Sequence, residues 1–313
     1  MKAAVHTRYG PPDVVRITEI DTPAVGDNDV LVKVYATTVN RTDCGFRSGR
    51  PVIVRLFTGF PRPRAGVLGN EFAGVVAAVG SGVTSFDIGD RVFGYNDTTF
   101  GAHAEYLSIP ERGSLAIMPP NLSYEQAAPI TEGSHYALAF IRHAKIQSGQ
   151  DTLVNGATGG IGSAAVQLLK SLGADQVIDY TVQDFTKDEQ AYDVVLDTVG
   201  KSTFGRCRRL LKPRGIYLSS ELGPLGQNPV LAMVTAPFRG RKVMFPFPRH
   251  DQEMVEYLRG MVESGAFRPL IDRRYPLDQI VEAYEYVETR QKIGNVVITV
   301  EPTSRGASEP TSA

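Results

Sequence analysis

The residues whose spacing points most clearly to chemistry are the glycines of VNGATGGIG, residues 154–162. An apolar run typical of a strand precedes them, and the helical pattern GSAAVQLLK starts at the last of them. Such a turn brings backbone amides and a helix N-terminus close to a diphosphate, which is bulky and doubly negative. We therefore predict a dinucleotide site; the alternative is a tight turn that binds no ligand. The predicted contacts are Gly156, Thr158, Gly159, Gly160, Ile161 and Gly162.

The elements that must hold this turn alternate between strands and helices. After Asp151, the apolar runs DTLVNGA, QVIDY, YDVVLDTVG and GIYLSS read as strands, separated in part by helical patterns. Apolar strands of this kind are typical of a parallel sheet that is buried on both faces. Before residue 120, short alternating runs such as DVLVKVYATTV and DRVFGY, with turn residues between them, favour a small β-barrel-like domain. The predicted fold class is therefore α/β.

Helical patterns join these parts. In NLSYEQAAPITEGSHYALAFIRHAKI, Ser123 and Gln126 have the spacing of a capping box, and Pro129 should break or kink the helix. PLDQIVEAYEYVETR predicts a later helix, with Pro276 in an early position. Its apolar residues Leu277, Ile280, Val281, Tyr284 and Val287 fall along one face.

Composition excludes several classes of function. The 313 residues are 42% hydrophobic and 21% charged, which is ordinary for a soluble globular protein. A formal net charge of −1 gives no basic footprint for nucleic acid, and no apolar run approaches membrane-spanning length. The start of the chain shows no signal-peptide pattern, and Cys44 and Cys207 alone cannot form a disulfide framework. We expect a cytoplasmic protein without nucleic-acid or membrane partners.

Several motifs occur together in the order of a known family: VNRTDCGFRSG, LGNEFAGVVAAVG, GDRVFGY, VNGATGGIGSAAVQL and SLGADQVIDY. From Met1 to about Val300 the chain resembles the zinc-independent medium-chain dehydrogenase/reductases, above all quinone oxidoreductases and bacterial NAD(P)-dependent alcohol dehydrogenase-like relatives. The resemblance implies a GroES-like domain over 1–120, a doubly wound Rossmann domain over 121–249 and a return to the first domain over 250–300. It also implies hydride transfer from NADPH, usually in a homodimer. The remaining residues, 301–313, are expected to be a disordered tail.

The resemblance also argues against zinc. Zinc-dependent relatives carry Cys, His and Cys ligands at or near the positions of Asn40, Asn70 and Thr131. Neither asparagine nor threonine is a competent ligand for catalytic zinc, and Glu71 alone does not hold the metal. We therefore predict no metal site.

The segment around Asn40 is expected to lie beside the nicotinamide. Asn40 would donate a hydrogen bond to a substrate carbonyl or to the nicotinamide ribose, and a carbonyl gains negative charge as hydride arrives. Arg47 is a second candidate electrophile, although an arginine on a loop is more often solvated. Asp43 belongs to the same catalytic segment, with loop orientation favoured over proton donation. Gly45 and Phe46 stand where some quinone reductases carry a tyrosine, so the proton is expected to come from solvent.

Further cofactor contacts follow from the resemblance, with ordinary loop chemistry as the alternative at each. Several of these residues end strands of the parallel sheet, where ligands of such sheets bind. The predicted contacts outside the glycine turn are Asn40, Thr131, Tyr180, Asp197, Thr198, Val199, Ser219, Ser220, Lys292 and Asn295.

One strand and one helix of the family pattern are missing between VQLLK and SLGADQVIDY. We predict a sheet one βα unit short, in which QVIDY occupies the second-strand position and pairs with DTLVNG. The missing strand normally selects between NAD and NADP. NADPH is favoured by the resemblance, while NADH gains weight from the deletion, and weakened cofactor binding is a further alternative. Asp179, near the strand end, would accept from a ribose hydroxyl and repel a phosphate there.

Three functions remain open from the sequence. The first is a zinc-free NAD(P)H-dependent reductase of quinones, enones or related carbonyls. The second is a metal-independent alcohol dehydrogenase, which ranks lower because alkoxide formation normally needs a Lewis acid. The third is a non-catalytic NAD(P)-binding protein. The apolar segment 233–249 is expected to line the substrate pocket, to form a dimer contact or to pack in the core.

Overall fold

The computed structural model describes residues 1–52, 55–171, 191–246 and 251–300. These residues form two compact units. Unit 1 comprises Met1–Pro129, Arg273–Gln291 and Val296 onward, and unit 2 comprises Ile130–Asp272 and Lys292–Asn295. No helix among the described residues has both the length and the apolar character that crossing a membrane requires.

Unit 1 is built on antiparallel strands. Strands β1 and β2 pair with each other, and a seven-stranded sheet has the order β12-β13-β3-β4-β5-β7, with β6 also paired to β3. The longest strands, β3 and β4, are rich in valine, alanine and threonine and are buried over most of their length, as central strands with both faces covered are. The strands are β1 Lys2–Val5, β2 Arg16–Glu19, β3 Asp29–Val39, β4 Glu71–Val79, β5 Arg91–Tyr95, β6 Tyr106–Pro110, β7 Ser114–Ile117, β12 Ile271–Pro276 and β13 Asn295–Thr299.

The core of unit 1 joins this sheet to a late helix. Fully buried Phe72, Val92 and Leu115 from the strands belong to the same apolar cluster as Ile280 and Tyr284. The helices of the unit are α1 Arg41–Ser48, α2 Arg55–Thr58, α3 Tyr124–Ala127 and α9 Ile280–Glu288. The predicted apolar face of the last helix is therefore confirmed, since Leu277, Ile280, Tyr284 and Val287 are buried.

Helix ends in this part follow local chemistry. The Ser123–Gln126 capping box is present at the start of α3, and the chain kinks at Pro129, both as predicted. Pro276 is different: it is the last residue of β12, and a 3₁₀ turn over Leu277–Gln279 separates it from α9. Its ring suits this position because the following turn needs no amide hydrogen from it.

Unit 2 contains the predicted parallel sheet. Its described strands have the order β11-β10-β9-β8, and each pairs in parallel with its neighbour. Leu153, Val195, Tyr217 and Val243, one from each strand, share a buried cluster. The strands are β8 Thr152–Asn155, β9 Tyr192–Asp197, β10 Leu211–Ser219 and β11 Lys242–Met244. The helices are α4 Glu132–Ala144, α5 Gly160–Lys170, α6 Phe204–Cys207, α7 Gln227–Thr235 and α8 Gln252–Glu263.

Some of the sequence predictions concern residues outside the described ranges. They include the pairing of QVIDY with β8, the roles of Asp179 and Tyr180, and the tail over 301–313. These stay predictions.

Candidate functional site

The glycine turn joins β8 to α5 in unit 2. Gly156 has a positive φ of 89°, and the amide of Gly159 donates to the carbonyl of Gly156 over 3.0 Å, which closes the turn. Gly159 is the N-cap of α5, so the amides of Gly160, Ile161 and Gly162 lie in the first helical turn and have no intrahelical acceptor. The turn therefore presents donors together with the positive end of a helix dipole.

The glycines of the turn have different reasons to lack a side chain. A Cβ on Gly162 would lie 2.0 Å from the carbonyl oxygen of Gly156, so the helix can approach the strand only with glycine there. A Cβ on Gly159 would meet nothing closer than that same oxygen at 3.5 Å, an ordinary contact, and its φ of −74° suits any residue. Protein packing thus explains Gly162 and leaves Gly159 unexplained.

A second segment, residues 292–295, lies against the turn. Gly294 donates its amide to the carbonyl of Thr158 over 2.6 Å, and Lys292 Nζ donates to the carbonyl of Gly294. Asn295 is held by Leu270, whose carbonyl accepts from both its amide and its Nδ2. The predicted residues Lys292 and Asn295 are therefore brought to the glycine turn.

An open cavity of about 440 Å³ adjoins the same turn. Gln167 of α5 fixes its far wall, because its side chain accepts from the Arg268 amide and donates to the Arg268 carbonyl. Sequence patterns had not pointed to Gln167 or Arg268. The lining residues are Ala157, Thr158, Ser163, Val166, Gln167, Arg268, Pro269 and Leu270.

The carboxyl ends of three parallel strands meet beside the turn. Asn155 of β8, Asp197 of β9 and Ser219 of β10 are neighbours in register. Thr198 is buried and donates its hydroxyl to the carbonyl of Asn155 over 2.9 Å. The side chain of Val199 fills the space over Gly156, where an added Cβ would lie 2.5 Å from it.

Asp197 itself faces the protein. Its carboxylate accepts from Tyr217 Oη at 2.9 Å, from Asn155 Nδ2 at 3.0 Å and from the amide of Gly200 at 3.1 Å. Burial raises the pKa of Asp197, although these donors act in the opposite direction. The carboxylate thus fixes the loop after β9.

Ser219 and Ser220 differ in their partners. Ser219 Oγ exchanges hydrogen bonds with the backbone of Glu221. Ser220 Oγ is buried and has no hydrogen-bond partner among the described residues. Because buried hydroxyls nearly always have partners, Ser220 Oγ is suited to a polar group of a bound ligand.

Thr131 is fully buried at the start of α4, where its carbonyl accepts from the amide of His135. The first turn of this helix is close-packed on α5, since a Cβ on Gly133 would lie 2.6 Å from the carbonyl oxygen of Gly160. Thr131 is therefore placed in the helix that supports the glycine turn.

Asn40 begins helix α1 in unit 1. Its Oδ1 accepts from the amide of Asp43, and Asp43 Oδ2 accepts from the amide of Asn40, each over 3.1 Å, which is a capping box. The other Asp43 oxygen accepts from the amide of Gly69 over 3.0 Å. These hydrogen bonds fit the favoured interpretation of Asp43 as a residue that orients its segment, which stays a prediction.

Arg47 does not lie on a solvated loop, so that expectation was wrong. It belongs to α1, is fully buried, and pairs with Glu288 of α9 while donating to the carbonyl of Gly10. Its guanidinium also lies 5.1 Å from the ring centre of Tyr284. A guanidinium engaged in this way holds α1 to α9, and we assign it no role as an electrophile.

His103 is a buried histidine of unit 1, and the sequence, in which it shows no ligand spacing with other histidines, indicated only a surface or core residue. His103 Nε2 lies 2.8 Å from the Thr38 carbonyl, so this nitrogen carries the hydrogen, and Nδ1 lies 3.3 Å from Tyr284 Oη. Burial lowers the pKa of His103 to about 4 and raises that of Tyr284. Both side chains are therefore neutral near pH 7.

Comparisons with known proteins cover nearly the whole chain. Two family models match: the alcohol dehydrogenase GroES-like domain over residues 26–120 and zinc-binding dehydrogenase over residues 172–298. The 2-methylene-furan-3-one reductase of Solanum lycopersicum is 31% identical, with 95% of this chain and 79% of that protein aligned. The chain belongs to the medium-chain dehydrogenase/reductase superfamily.

Other members of the superfamily are similar in sequence and structure. The chloroplastic NADPH-dependent alkenal/one oxidoreductase of Arabidopsis thaliana is 28% identical, with 95% of this chain and 79% of that protein aligned. The solved structure of the quinone oxidoreductase from Coxiella burnetii is 28% identical and has a TM-score of 0.84. The alignment covers 96% of this chain and 99% of that chain. The predicted fold class, a GroES-like domain with a Rossmann-like parallel sheet, is confirmed.

One matching family model is named for zinc binding, which raises the question whether this medium-chain dehydrogenase/reductase has side chains that could bind the metal. Glu71 is buried and accepts from Thr38 Oγ1 at 2.6 Å, and Asn40 Nδ2 donates to Asn70 Oδ1 at 2.7 Å. Within the described parts of the chain, no group of three or more His, Cys, Asp or Glu side chains could hold a metal ion. Glu71 is thus engaged by Thr38, and Asn40 and Asn70 are engaged with each other, so these side chains do not fit catalytic zinc.

Proposed function

We propose that the chain is an NADPH-dependent, metal-free reductase of quinones or enones, in which a C=C bond is conjugated to a carbonyl. The observation that carries the proposal is the glycine turn Gly156–Gly162, whose open position at Gly159 has no explanation in protein packing. The relatives named above are a methylene-furanone reductase, an alkenal/one oxidoreductase and a quinone oxidoreductase.

The residues of unit 2 fit a nicotinamide cofactor. The first amides of α5 would hold the diphosphate, and the missing side chain at Gly159 leaves room for it. The buried Ser220 Oγ would gain the partner that it lacks among the described residues. Thr131, Thr158, Thr198, Val199, Ser219, Lys292 and Asn295 would complete the cofactor site, with Asp197 fixing its loop.

When bound, the reduced nicotinamide supplies a hydride. The chain's own contribution is to stabilise the charge that forms on the substrate oxygen. Asn40 Nδ2 uses one hydrogen on Asn70, and its second hydrogen has no partner among the described residues. That donor is directed at the substrate carbonyl oxygen, where a fixed hydrogen bond lowers the barrier. The proton that completes the reduction comes from solvent.

No metal takes part in this proposal. Asn40, Asn70 and Thr131 stand at or near the positions where zinc-dependent relatives have ligands. Asn40 donates a hydrogen bond to Asn70. Elemental analysis of the purified protein should find less than one zinc per ten chains, and a chelator should leave the rate unchanged. Stoichiometric zinc would contradict the metal-free part.

The test is NADPH oxidation by the purified chain with benzoquinone, methyl vinyl ketone and crotonaldehyde. Saturated butanone and butanal serve as matched controls, because they keep the carbonyl and lack the conjugated bond. We expect oxidation with the conjugated compounds only. Oxidation of ethanol by NADP⁺ without metal would favour the alcohol dehydrogenase, and cofactor binding without any turnover would favour the binding protein.

The proposal also covers the choice of cofactor, the oligomeric state and the location in the cell. NADPH is the proposed cofactor, and parallel titrations with NADPH and NADH measure the preference. The homodimer that the resemblance implies is tested by light scattering, and the cytoplasmic location expected from composition by cell fractionation.

A further inference from the structure

The carboxamide of Asn40 is held from both sides within unit 1. Its Oδ1 accepts from the amide of Asp43 over 3.1 Å, and its Nδ2 donates to Asn70 Oδ1 over 2.7 Å. Its exposed fraction is 6%, so the side chain is largely shielded from water. The orientation of the amide, and with it the direction of the second Nδ2 hydrogen, is thereby set by two neighbours.

Asn70 is in turn oriented by its own contacts. Asn70 is fully buried, and its side-chain Nδ2 donates to Tyr95 Oη at 3.4 Å. Its backbone carbonyl accepts from the amide of Asn96 at 2.6 Å, which fixes the main chain. The donor side of Asn70 therefore points to Tyr95 and the acceptor side to Asn40. A flipped Asn70 would place two NH₂ groups against each other, which no hydrogen bond would stabilise.

We infer that Asn70 is a positioning residue, which fixes Asn40 so that a donor and not an acceptor is presented to the substrate oxygen. This inference rests on the proposed function. Without the acceptor on Asn70, the Asn40 amide would still cap α1, but its NH₂ group would lose the partner that fixes its rotation. Asn70 is fully buried and its side-chain oxygen is engaged by Asn40 Nδ2, so we infer that it acts through Asn40.

The kinetic test compares Asn70→Ala with Asn70→Asp. Alanine removes the acceptor, and kcat for a conjugated enone is expected to fall roughly tenfold to a hundredfold, less than for loss of a whole donor. Aspartic acid keeps an oxygen in the same place in either protonation state and should recover most of the rate. The comparison variant is Tyr95→Phe, which removes the hydroxyl that accepts from Asn70 Nδ2 and leaves the bond to Asn40, so its kcat should fall less than that of Asn70→Ala.

The isotope effect distinguishes positioning from general loosening. With deuterated NADPH, Asn70→Ala should show a larger kinetic isotope effect than the unmodified chain, because hydride transfer becomes the slowest step. The KM for NADPH should stay within about threefold, as expected when transition-state and not ground-state binding is lost. A folded Asn70→Ala variant with kcat and isotope effect unchanged would overturn the inference, and so would an Asn70→Asp variant as slow as the alanine.

A second measurement needs neither turnover nor a variant of Asn70. In the cofactor-free chain labelled with ¹⁵N-asparagine, one Asn40 side-chain hydrogen should exchange slowly and the other fast, and Asn40→Asp identifies the signal by its loss. Two equally fast hydrogens would overturn the inference even if Asn70→Ala failed to fold. If the unmodified chain turned over no conjugated substrate, the proposed function would fail, while this exchange measurement would still decide the orientation.

Discussion

Gly159→Ala should separate ligand binding from folding. At this position φ is −74° and ψ is 172°, and an added Cβ would contact only Gly156 O at 3.5 Å. Replacing glycine by alanine at a compatible backbone stabilises by about 0.4–1 kcal/mol through the unfolded chain. Alanine is a poorer N-cap than glycine by a similar amount, so the free energy of unfolding should change by less than about 1 kcal/mol.

Binding should respond much more. The methyl group would stand in front of the first amides of α5 and weaken at least one hydrogen bond to the charged diphosphate. Such a bond contributes roughly 1.5–3 kcal/mol, which corresponds to a Kd for NADPH raised about tenfold to a hundredfold. The chain has no tryptophan, so the fluorescence of the reduced nicotinamide can be titrated without interference from indole.

Gly162→Ala is the matched contrast in the same turn. There the added Cβ would lie 2.0 Å from a backbone oxygen, so α5 must move away from β8 and stability should fall by about 2 kcal/mol or more. Urea unfolding should therefore find Gly162→Ala clearly less stable than Gly159→Ala. NADPH titration should find weaker binding in both variants. A Gly159→Ala chain that is folded and binds NADPH as tightly as the unmodified chain would refute the assignment of the diphosphate to this turn.

Three further outcomes are expected. The buried His103, with a pKa of about 4 against an ordinary 6.5, resists protonation that the unfolded chain accepts, so the free energy of unfolding should fall by up to about 3 kcal/mol as pH drops from 6.5 to 4. His103→Gln should flatten that profile in urea titrations, and an unchanged slope would count against it. Glu288→Ala leaves the buried Arg47 without its carboxylate and should lower stability by roughly 1–3 kcal/mol, with Glu288→Gln losing less; equal losses would contradict the ion pair. Burial raises the pKa of Cys44 to about 12, so neither it nor the buried Cys207 should react with iodoacetamide at pH 8 until the chain unfolds, as mass spectrometry would show.

Features fixed by neighbouring residues could be predicted from sequence. The Ser123–Gln126 capping box and the kink at Pro129 depend on residues a few positions apart, and both are present. The glycine turn is equally local, because a strand, a run of glycines and a helix follow one another directly.

Features that depend on distant residues could not. Arg47 was expected to be solvated because its segment was taken for a loop, yet it lies in α1 and its partner Glu288 is 241 positions away. The contact between His103 and Tyr284 spans 181 positions. Periodicity shows that Tyr284 faces a core, but it does not show which polar side chain that core contains.

The capping box at Asn40 has a consequence for altering this chain. Any residue that replaces Asn40 must also cap the start of α1, because Asn40 Oδ1 accepts a hydrogen bond from the Asp43 amide. Only serine, threonine and aspartate share that ability, and none of them carries an NH₂ group. Alanine scanning at position 40 would therefore mix fraying of the helix with lost chemistry, and a cap-preserving set of substitutions is needed to read the two apart.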